Sequence, residues 1–266
     1  MRAEILVEAL RERGRSLLWW SLGIAGLVAL TVAFYPSVRG DQGLSDYAKD
    51  LPESVRNLFV GGELDVASPA GYLNSQIFAL VAPLVLLVFA IGAGSGAIAG
   101  EEERGTLDLV LAHPVRRASY VVQRFLALAA LVALLALVLL ASVAVGSRLV
   151  DLEIAFSKVA AACVSVGLLA LFFAAVALAV GAAAPGRARA IGVAAGLGVA
   201  SWIFDGLAHS VGALEPLRPL GPYYHALGQN PLREGPPWAG WSLLAVSCAL
   251  LAILAAAAFE RRDVRQ

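Results

Sequence analysis

Charge is scarce in this sequence of 266 residues: only 15% of them are charged, whereas soluble domains carry roughly 25%. Apolar residues make up 59% of the chain, and the charged residues occur in clusters separated by long uncharged stretches. An apolar stretch of about 18 or more residues is long enough to cross the hydrocarbon core of a bilayer. The composition therefore excludes a soluble globular protein and predicts a polytopic membrane protein.

Lysine and histidine are too few and too scattered to form the common catalytic and metal sites. Neither Lys49 nor Lys158 belongs to a G-x-x-x-x-G-K-[ST] loop, which excludes ATP hydrolysis by this chain. No H-E-x-x-H or G-x-S-x-G motif occurs, so metalloprotease and hydrolase functions lack their ligands or nucleophile. A metal site is not expected, because the histidines lie in separate segments without a neighbouring second ligand, at His113, His209 and His225. We expect no catalytic, cofactor or metal site.

Six uncharged stretches predict six transmembrane helices within one all-α domain that covers residues 1–266. The predicted spans are residues 16–36, 76–100, 124–147, 159–185, 187–208 and 238–259. Residues 37–75, 148–158 and 209–237 would connect them on one side, and residues 101–123 and the tail 260–266 would lie on the other. Residues 1–15 carry apolar side chains at helical spacing, which predicts an amphipathic helix at the membrane surface; a polar tail is the alternative. No small-x-small cleavage site follows Phe34, so we expect this region to remain in the mature protein.

Arginine placement predicts the orientation. The segments on the side of the N-terminus carry 13 of the 20 basic residues, although these segments are the shorter ones. Under the positive-inside rule both termini are cytoplasmic, and we expect a multi-pass protein of the plasma (inner) membrane. Residues 37–75 and the proline-rich segment 209–237 are then external.

The predicted spans have almost no charge within them. Asp205 comes nearest, and a carboxylate at the external interface is favoured there over an ion or proton site. The hypothesis of an ion-driven transporter or channel therefore loses its main support in the sequence.

Cys163 and Cys248 show no C-x-x-C or Cys/His spacing and are interpreted as small core residues. The net charge of zero gives no field that would attract nucleic acid.

Glycines recur every fourth residue at the end of the second predicted span. This spacing puts Gly92, Gly96 and Gly100 on one helical face, where the missing side chains permit two helices to approach closely. We interpret them as helix-packing residues rather than as part of a ligand site.

The segment that follows, residues 100–117, is the most informative part of the sequence. Glu101, Glu102 and Glu103 leave the membrane together. Thr106 can cap a new short helix whose apolar face would comprise Leu107, Val110 and Leu111, and Pro114 would end it. Such a helix fits either a protein partner or an interfacial loop that rests on lipid, and physical reasoning leaves both open.

The stretch E-E-E-R-G-T-L-D-L-V-L-A-H-P-V-R-R resembles the cytoplasmic signature of permease subunits in type-2 ATP-binding cassette (ABC) exporters. Further similarity is found at residues 68–73 (S-P-A-G-Y-L), 216–224 (P-L-R-P-L-G-P-Y-Y), 230–233 (N-P-L-R) and 259–263 (F-E-R-R-D). The resemblance implies that residues 107–114 form a coupling helix in a groove of a separate ATPase subunit and that residues 1–15 form an elbow helix. It also implies two permease copies, two ATPase copies that bind ATP and Mg, and external re-entrant helices between spans five and six.

The leading hypothesis is therefore a non-catalytic permease subunit that forms a dimeric export pathway in the bilayer. Uncharged, Ala- and Leu-rich spans would suit a drug, a lipid-like molecule or another amphipathic substrate. One alternative is a membrane scaffold or assembly factor without a transport cycle, which would neither bind nor stimulate an ATPase. An integral-membrane enzyme is disfavoured, because no paired polar residues converge at one depth.

Overall fold

A computed structural model gives the fold; its described residues are 13–39, 43, 46, 49–60, 65–105, 116–208, 211 and 213–262. Within these ranges the chain forms helices and no strands. Six helices are long and apolar enough to cross a bilayer: α1 (Gly14–Val38), α2 (Pro69–Ala97), α3 (Arg117–Leu149), α4 (Phe156–Ala183), α5 (Arg187–Ala208) and α6 (Trp238–Arg261). The prediction of an all-α polytopic membrane protein is confirmed. The predicted elbow helix at 1–15 falls almost entirely outside the described residues.

Four helices begin before the predicted spans, α1 and α4 by two or three residues and α2 and α3 by seven. Helix α2 begins at Pro69 rather than at residue 76, because the Ser68 hydroxyl oxygen accepts a hydrogen bond from the Gly71 N–H at 3.2 Å and Pro69 occupies the first turn. Helix α3 begins at Arg117 rather than at residue 124. The charge of Arg124 limited the predicted span, whereas the helix continues through this residue toward the membrane surface.

Helix α2 is irregular in its first half. Residues Asn74–Phe78 form a π-helical turn, and regular α-helix resumes at Val81. Pro83 has no N–H and cannot donate a backbone hydrogen bond to the preceding helical turn. The irregular stretch therefore lies next to a position where the α-helical hydrogen-bond pattern is interrupted by proline. The hydroxyl of Tyr72 donates to the carbonyl of Thr31 at 2.9 Å and ties this part of α2 to α1.

Helix α4 is the centre of the bundle and packs against α2, α3, α5 and α6. In its most apolar window 67% of the residues are buried, compared with 22% in both α1 and α5. Small residues permit this packing: Gly94 of α2 lies directly on the backbone of Ala174, and Gly181 lies close to Ala99. Lipid is as apolar as the helix surfaces, so close van der Waals packing, rather than burial of apolar area, holds such helices together.

Short helices fill the connection between α5 and α6. They comprise Glu215–Leu220, Pro222–Leu227 and Asn230–Glu234, and they pack against the ends of the neighbouring long helices. This is the segment for which the family resemblance implies external re-entrant helices. Another short helix, Glu53–Phe59, packs against α5, where Phe59 meets Trp202 with ring centroids 5.7 Å apart.

Large apolar side chains cover the outside of the bundle. Trp19 of α1, Leu137 of α3 and Ile253 of α6 are each at least 60% exposed. In water such a surface would be an aggregation site, whereas in a bilayer it contacts lipid tails. Cys163 and Cys248 are both buried, as expected for small core residues.

Gly94 and Gly92 lie on the same helix and provide a matched test of the packing. A methyl group at Gly94 would collide with the Ala174 backbone, whereas one at Gly92 would meet open space. We expect Gly94→Ala to lower stability by about 1–3 kcal/mol, the usual cost of overpacking, and Gly92→Ala to leave it unchanged or raised. Unfolding of both variants in sodium dodecyl sulfate, followed by tryptophan fluorescence, measures the difference; equal stability would show that α2 and α4 are not in close contact here.

Candidate functional site at the termini end of the bundle

The three consecutive glutamates lie at the termini end of the bundle, which is the end where α1 begins and α6 ends. After α2 the backbone breaks at Ile98, and a short helix, Ala99–Glu103, carries the carboxylates. Gly105 follows with a φ of +68°, a left-handed conformation that suits glycine and ends the short helix. Each carboxylate contacts a residue in, or directly after, a different long helix.

Glu101 holds α3. The residue is only 6% exposed, and its carboxylate accepts hydrogen bonds from the Tyr120 hydroxyl and the Arg124 guanidinium. Arg124 Nε also donates to the Tyr120 hydroxyl oxygen at 3.1 Å, and the guanidinium carbon lies 5.1 Å from the centroid of the Tyr120 ring. The three side chains therefore form a closed network. Both charges are largely removed from water, so each one needs the other to remain in place.

Glu102 holds the end of α6. Its Oε1 accepts a hydrogen bond from Arg262 Nη2 at 2.5 Å. The carbonyl of Arg262 in turn accepts a hydrogen bond from Arg117 Nη1 of α3 at 2.6 Å, and the Arg117 guanidinium lies over the ring of Phe259. Glu102 therefore connects the segment after α2 to α6 and, through Arg262, to the first turn of α3.

Glu103 holds the start of α5. Its Oε1 accepts a hydrogen bond from the backbone N–H of Arg187 at 2.7 Å. Arg187 is the first residue of α5, so this N–H has no partner within its own helix. A carboxylate there also interacts favourably with the positive end of the helix dipole. Gly186, with a φ of +108°, makes the tight turn between α4 and α5 that presents this N–H.

Within the described part of the chain, the predicted glycine face meets arginine side chains at Gly96 and Gly100 and open space at Gly92, and no helix backbone packs closely against it. A Cβ at Gly96 would lie 3.1 Å from Arg13 Nη2, and one at Gly100 would lie 3.4 Å from Arg187 Cδ. Arg13 Nη2 also donates to the carbonyl of Ala93 at 3.4 Å. Close packing with α4 occurs instead at Gly94, on another face of α2. Packing of Gly92, Gly96 and Gly100 against a second copy stays a prediction.

The remaining predicted site residues lie outside the described part of the chain. They are Thr106, Leu107, Val110, Leu111 and Pro114. The described chain stops at Gly105 and resumes at Arg116, so the three anchored glutamates immediately precede this segment. Sequence analysis identified the glutamates but not their partners, because nothing in local spacing links residues so far apart.

An ion pair also stabilises the opposite end of the bundle. Asp205 Oδ1 accepts a hydrogen bond from Arg218 Nε at 3.0 Å, and the Arg218 guanidinium lies 5.0 Å from the centroid of the Tyr224 ring. Burial raises the pKa of the neighbouring Tyr223 hydroxyl, and the Asp205 carboxylate raises it further. The ion pair favours the interpretation of Asp205 as an interfacial carboxylate over that of an ion site.

The Glu101 network gives a quantitative prediction. Arg124→Met or Glu101→Gln alone removes one partner of a buried ion pair, which costs about 3–5 kcal/mol when the other charge is left uncompensated. The double variant leaves no orphaned charge, so we expect it to be more stable than the sum of the single effects implies. A double-mutant cycle of unfolding free energies measures this coupling; additive losses would contradict a direct interaction.

Comparison with known proteins agrees with this architecture. The family model described as ABC-2 family transporter protein matches residues 5–264, nearly the whole chain. A comparison with curated proteins finds no match. The family match and the six apolar helices together show that the chain belongs to the ABC-2 family of transporter proteins and is a multi-pass membrane permease.

Proposed function

We propose that the chain is the permease subunit of an ABC exporter and works as a dimer with a separate cytoplasmic ATPase subunit. The partner would bind ATP and Mg and perform the hydrolysis, since this chain has no P-loop. The permease would lie in the plasma membrane with both termini cytoplasmic. Its substrate would be amphipathic, such as a drug or a lipid-like molecule.

The observation that supports coupling most directly is the arrangement of Glu101, Glu102 and Glu103. These carboxylates hold α3, α6 and α5 immediately before residues 106–114. In this proposal residues 107–114 bind the ATPase, and Thr106 caps the segment. When the ATPase subunits close on ATP, the displacement passes through the short helix Ala99–Glu103 into three spans at once. Networks of hydrogen bonds and ion pairs of this kind can carry conformational coupling between distant sites.

The orientation can be tested with single cysteines at exposed positions. Asp50 and Glu215 would be external, whereas Arg116 and Arg187 would be cytoplasmic; all four residues are exposed. We expect cysteines at the first two positions to react with a membrane-impermeant thiol reagent in intact cells and those at the other two to react only after lysis. The native cysteines are buried and give little background. The reverse pattern would contradict the proposed orientation.

The coupling role can be tested with a change inside the predicted helix. If Leu107, Val110 and Leu111 insert into a groove of the ATPase, Leu111→Asp places a carboxylate without a partner in that interface, at a cost of several kcal/mol. The permease should still insert in the membrane, because the change lies outside every span. We expect co-purification of the ATPase and transport-linked hydrolysis to be lost together.

Asp108→Asn is the matched control, since it removes a charge from another face of the same predicted helix. It should weaken the helix N-terminus by less than ~1 kcal/mol and leave ATPase binding nearly intact. Full ATPase recovery and normal hydrolysis with Leu111→Asp would reject these residues as the coupling element. An ATPase that never binds or responds to the wild-type permease would instead favour the scaffold hypothesis.

A further inference from the structure

A surface cavity of about 600 Å³ lies at the end of the bundle opposite to the termini end. Its wall is formed by the last turns of α3, the connection between α3 and α4, the first turn of α4, and Arg39 directly after α1. The volume is within the range of roughly 300–1,000 Å³ that is usual for ligand pockets. The apolar part of the wall comprises Ala144, Leu152, Ile154, Phe156 and Val159.

The polar part of the wall carries two guanidinium groups and two carboxylates. They belong to Arg39, Arg148, Asp151 and Glu153, all of which are exposed. Within the described part of the chain none of the four forms an ion pair. Three of them lie inside the continuously described range 116–208, so their neighbours along the chain are described as well. Charges of both signs are therefore available to a ligand in one cavity, and their sum is zero.

A buried hydroxyl also lines the cavity. Ser147, which precedes Arg148 on α3, is only 9% exposed, and its Oγ forms no hydrogen bond with the described part of the chain. A hydroxyl that is removed from water without a partner costs free energy. An acceptor oxygen in the cavity would provide the missing partner.

The position of the cavity places it beside the head-group layer of the membrane. Phe156, the first residue of α4, belongs to the wall and is 62% exposed. An exposed phenyl ring is unfavourable in water but compatible with lipid. From Arg148 to Ala144 is about 6 Å along α3, so the wall extends by one helical turn from its charged rim into the span. The cavity therefore adjoins both head groups and the apolar layer.

We propose that this cavity binds the phosphoethanolamine head group of a phospholipid in the adjacent membrane leaflet. Guanidinium groups match phosphate oxygens in shape and charge, and the Ser147 hydroxyl can donate to the same phosphate. The carboxylates accept hydrogen bonds from the primary ammonium group, which has three N–H donors. A choline group has no N–H and is usually bound by several aromatic rings, whereas Phe156 is the single aromatic residue in the described wall.

The test measures binding of phosphatidylethanolamine with a fluorescent acyl chain to the purified, detergent-solubilised chain. Phosphatidylglycerol and phosphatidylcholine with the same acyl chains are the comparison lipids. The first has the phosphate without an ammonium group, and the second has an ammonium group without an N–H. We expect the wild type to bind phosphatidylethanolamine about three- to tenfold more tightly than either, since both lack the hydrogen bonds to the carboxylates.

Removal of charges of either sign should have different effects on the three lipids. Arg148→Gln removes a phosphate contact and should weaken the binding of all three by about three- to tenfold. The double variant Asp151→Asn with Glu153→Gln should abolish the preference for phosphatidylethanolamine and leave phosphatidylglycerol binding unchanged or stronger, because it removes only negative charge. These side chains are exposed, and Asp151 has a φ of +49°, a conformation that asparagine also adopts readily. The changes therefore do not threaten the fold.

Matched controls separate the cavity from general effects of surface charge. Arg189→Gln and Glu215→Gln each remove an exposed charge that does not line the cavity. Both variants should keep the affinity and the lipid preference of the wild type.

Several outcomes would overturn the proposal. They are equal binding of phosphatidylethanolamine and either comparison lipid by the wild type, an unchanged preference in the double variant, wild-type affinity in Arg148→Gln, and equal losses in the controls. Displacement of the lipid by glycerophosphoethanolamine at equal concentration would assign the site to a water-soluble zwitterion instead. Because binding is measured without an ATPase and does not depend on the orientation in the membrane, failure here leaves the proposed function untouched.

Discussion

The bilayer imposes the constraint from which the rest of this structure follows: within hydrocarbon, every backbone N–H and C=O must find its partner inside the protein. Helices satisfy this requirement segment by segment, and the described chain uses them throughout. Lipid, however, provides no hydrophobic force to bring helices together. The central helix α4 is accordingly rich in small residues, and its contact with α2 depends on Gly94 lying against the Ala174 backbone.

The same constraint explains where the polar interactions occur. Charged groups are costly in hydrocarbon. Among the described residues, three ion pairs join different elements of the bundle, and they lie at its two ends. At the termini end, consecutive residues Glu101, Glu102 and Glu103 reach three helices that are distant in sequence. Apolar packing in the middle gives the bundle its form, and polar contacts at the ends fix how the helices are positioned relative to one another.

Much of the fold could be predicted from the sequence because the bilayer leaves a direct trace in it: six uncharged stretches indicate six spans. The exact ends of the helices could not be predicted. The charge of Arg124 indicates the end of a span, and only knowledge of its partner Glu101 on another helix shows that the helix continues through it. The glycine pattern shows the same limit. A spacing of four places Gly92, Gly96 and Gly100 on one face, but only the tertiary structure shows that Gly94 is the residue in close contact with α4. The function of residues 106–114 stays a prediction from sequence.

The π-helical turn at Asn74–Phe78 sets the rotational phase of α2. Such a turn contains one residue more than an α-helical turn, so the segments before and after it do not share one continuous helical wheel. Loss of a single residue there would restore a regular helix and rotate the first turns by about 100° relative to the rest. Tyr72 would then move away from the Thr31 carbonyl of α1. The length of this segment is therefore as strict a requirement as its composition, and a one-residue deletion should be far less tolerated than most substitutions.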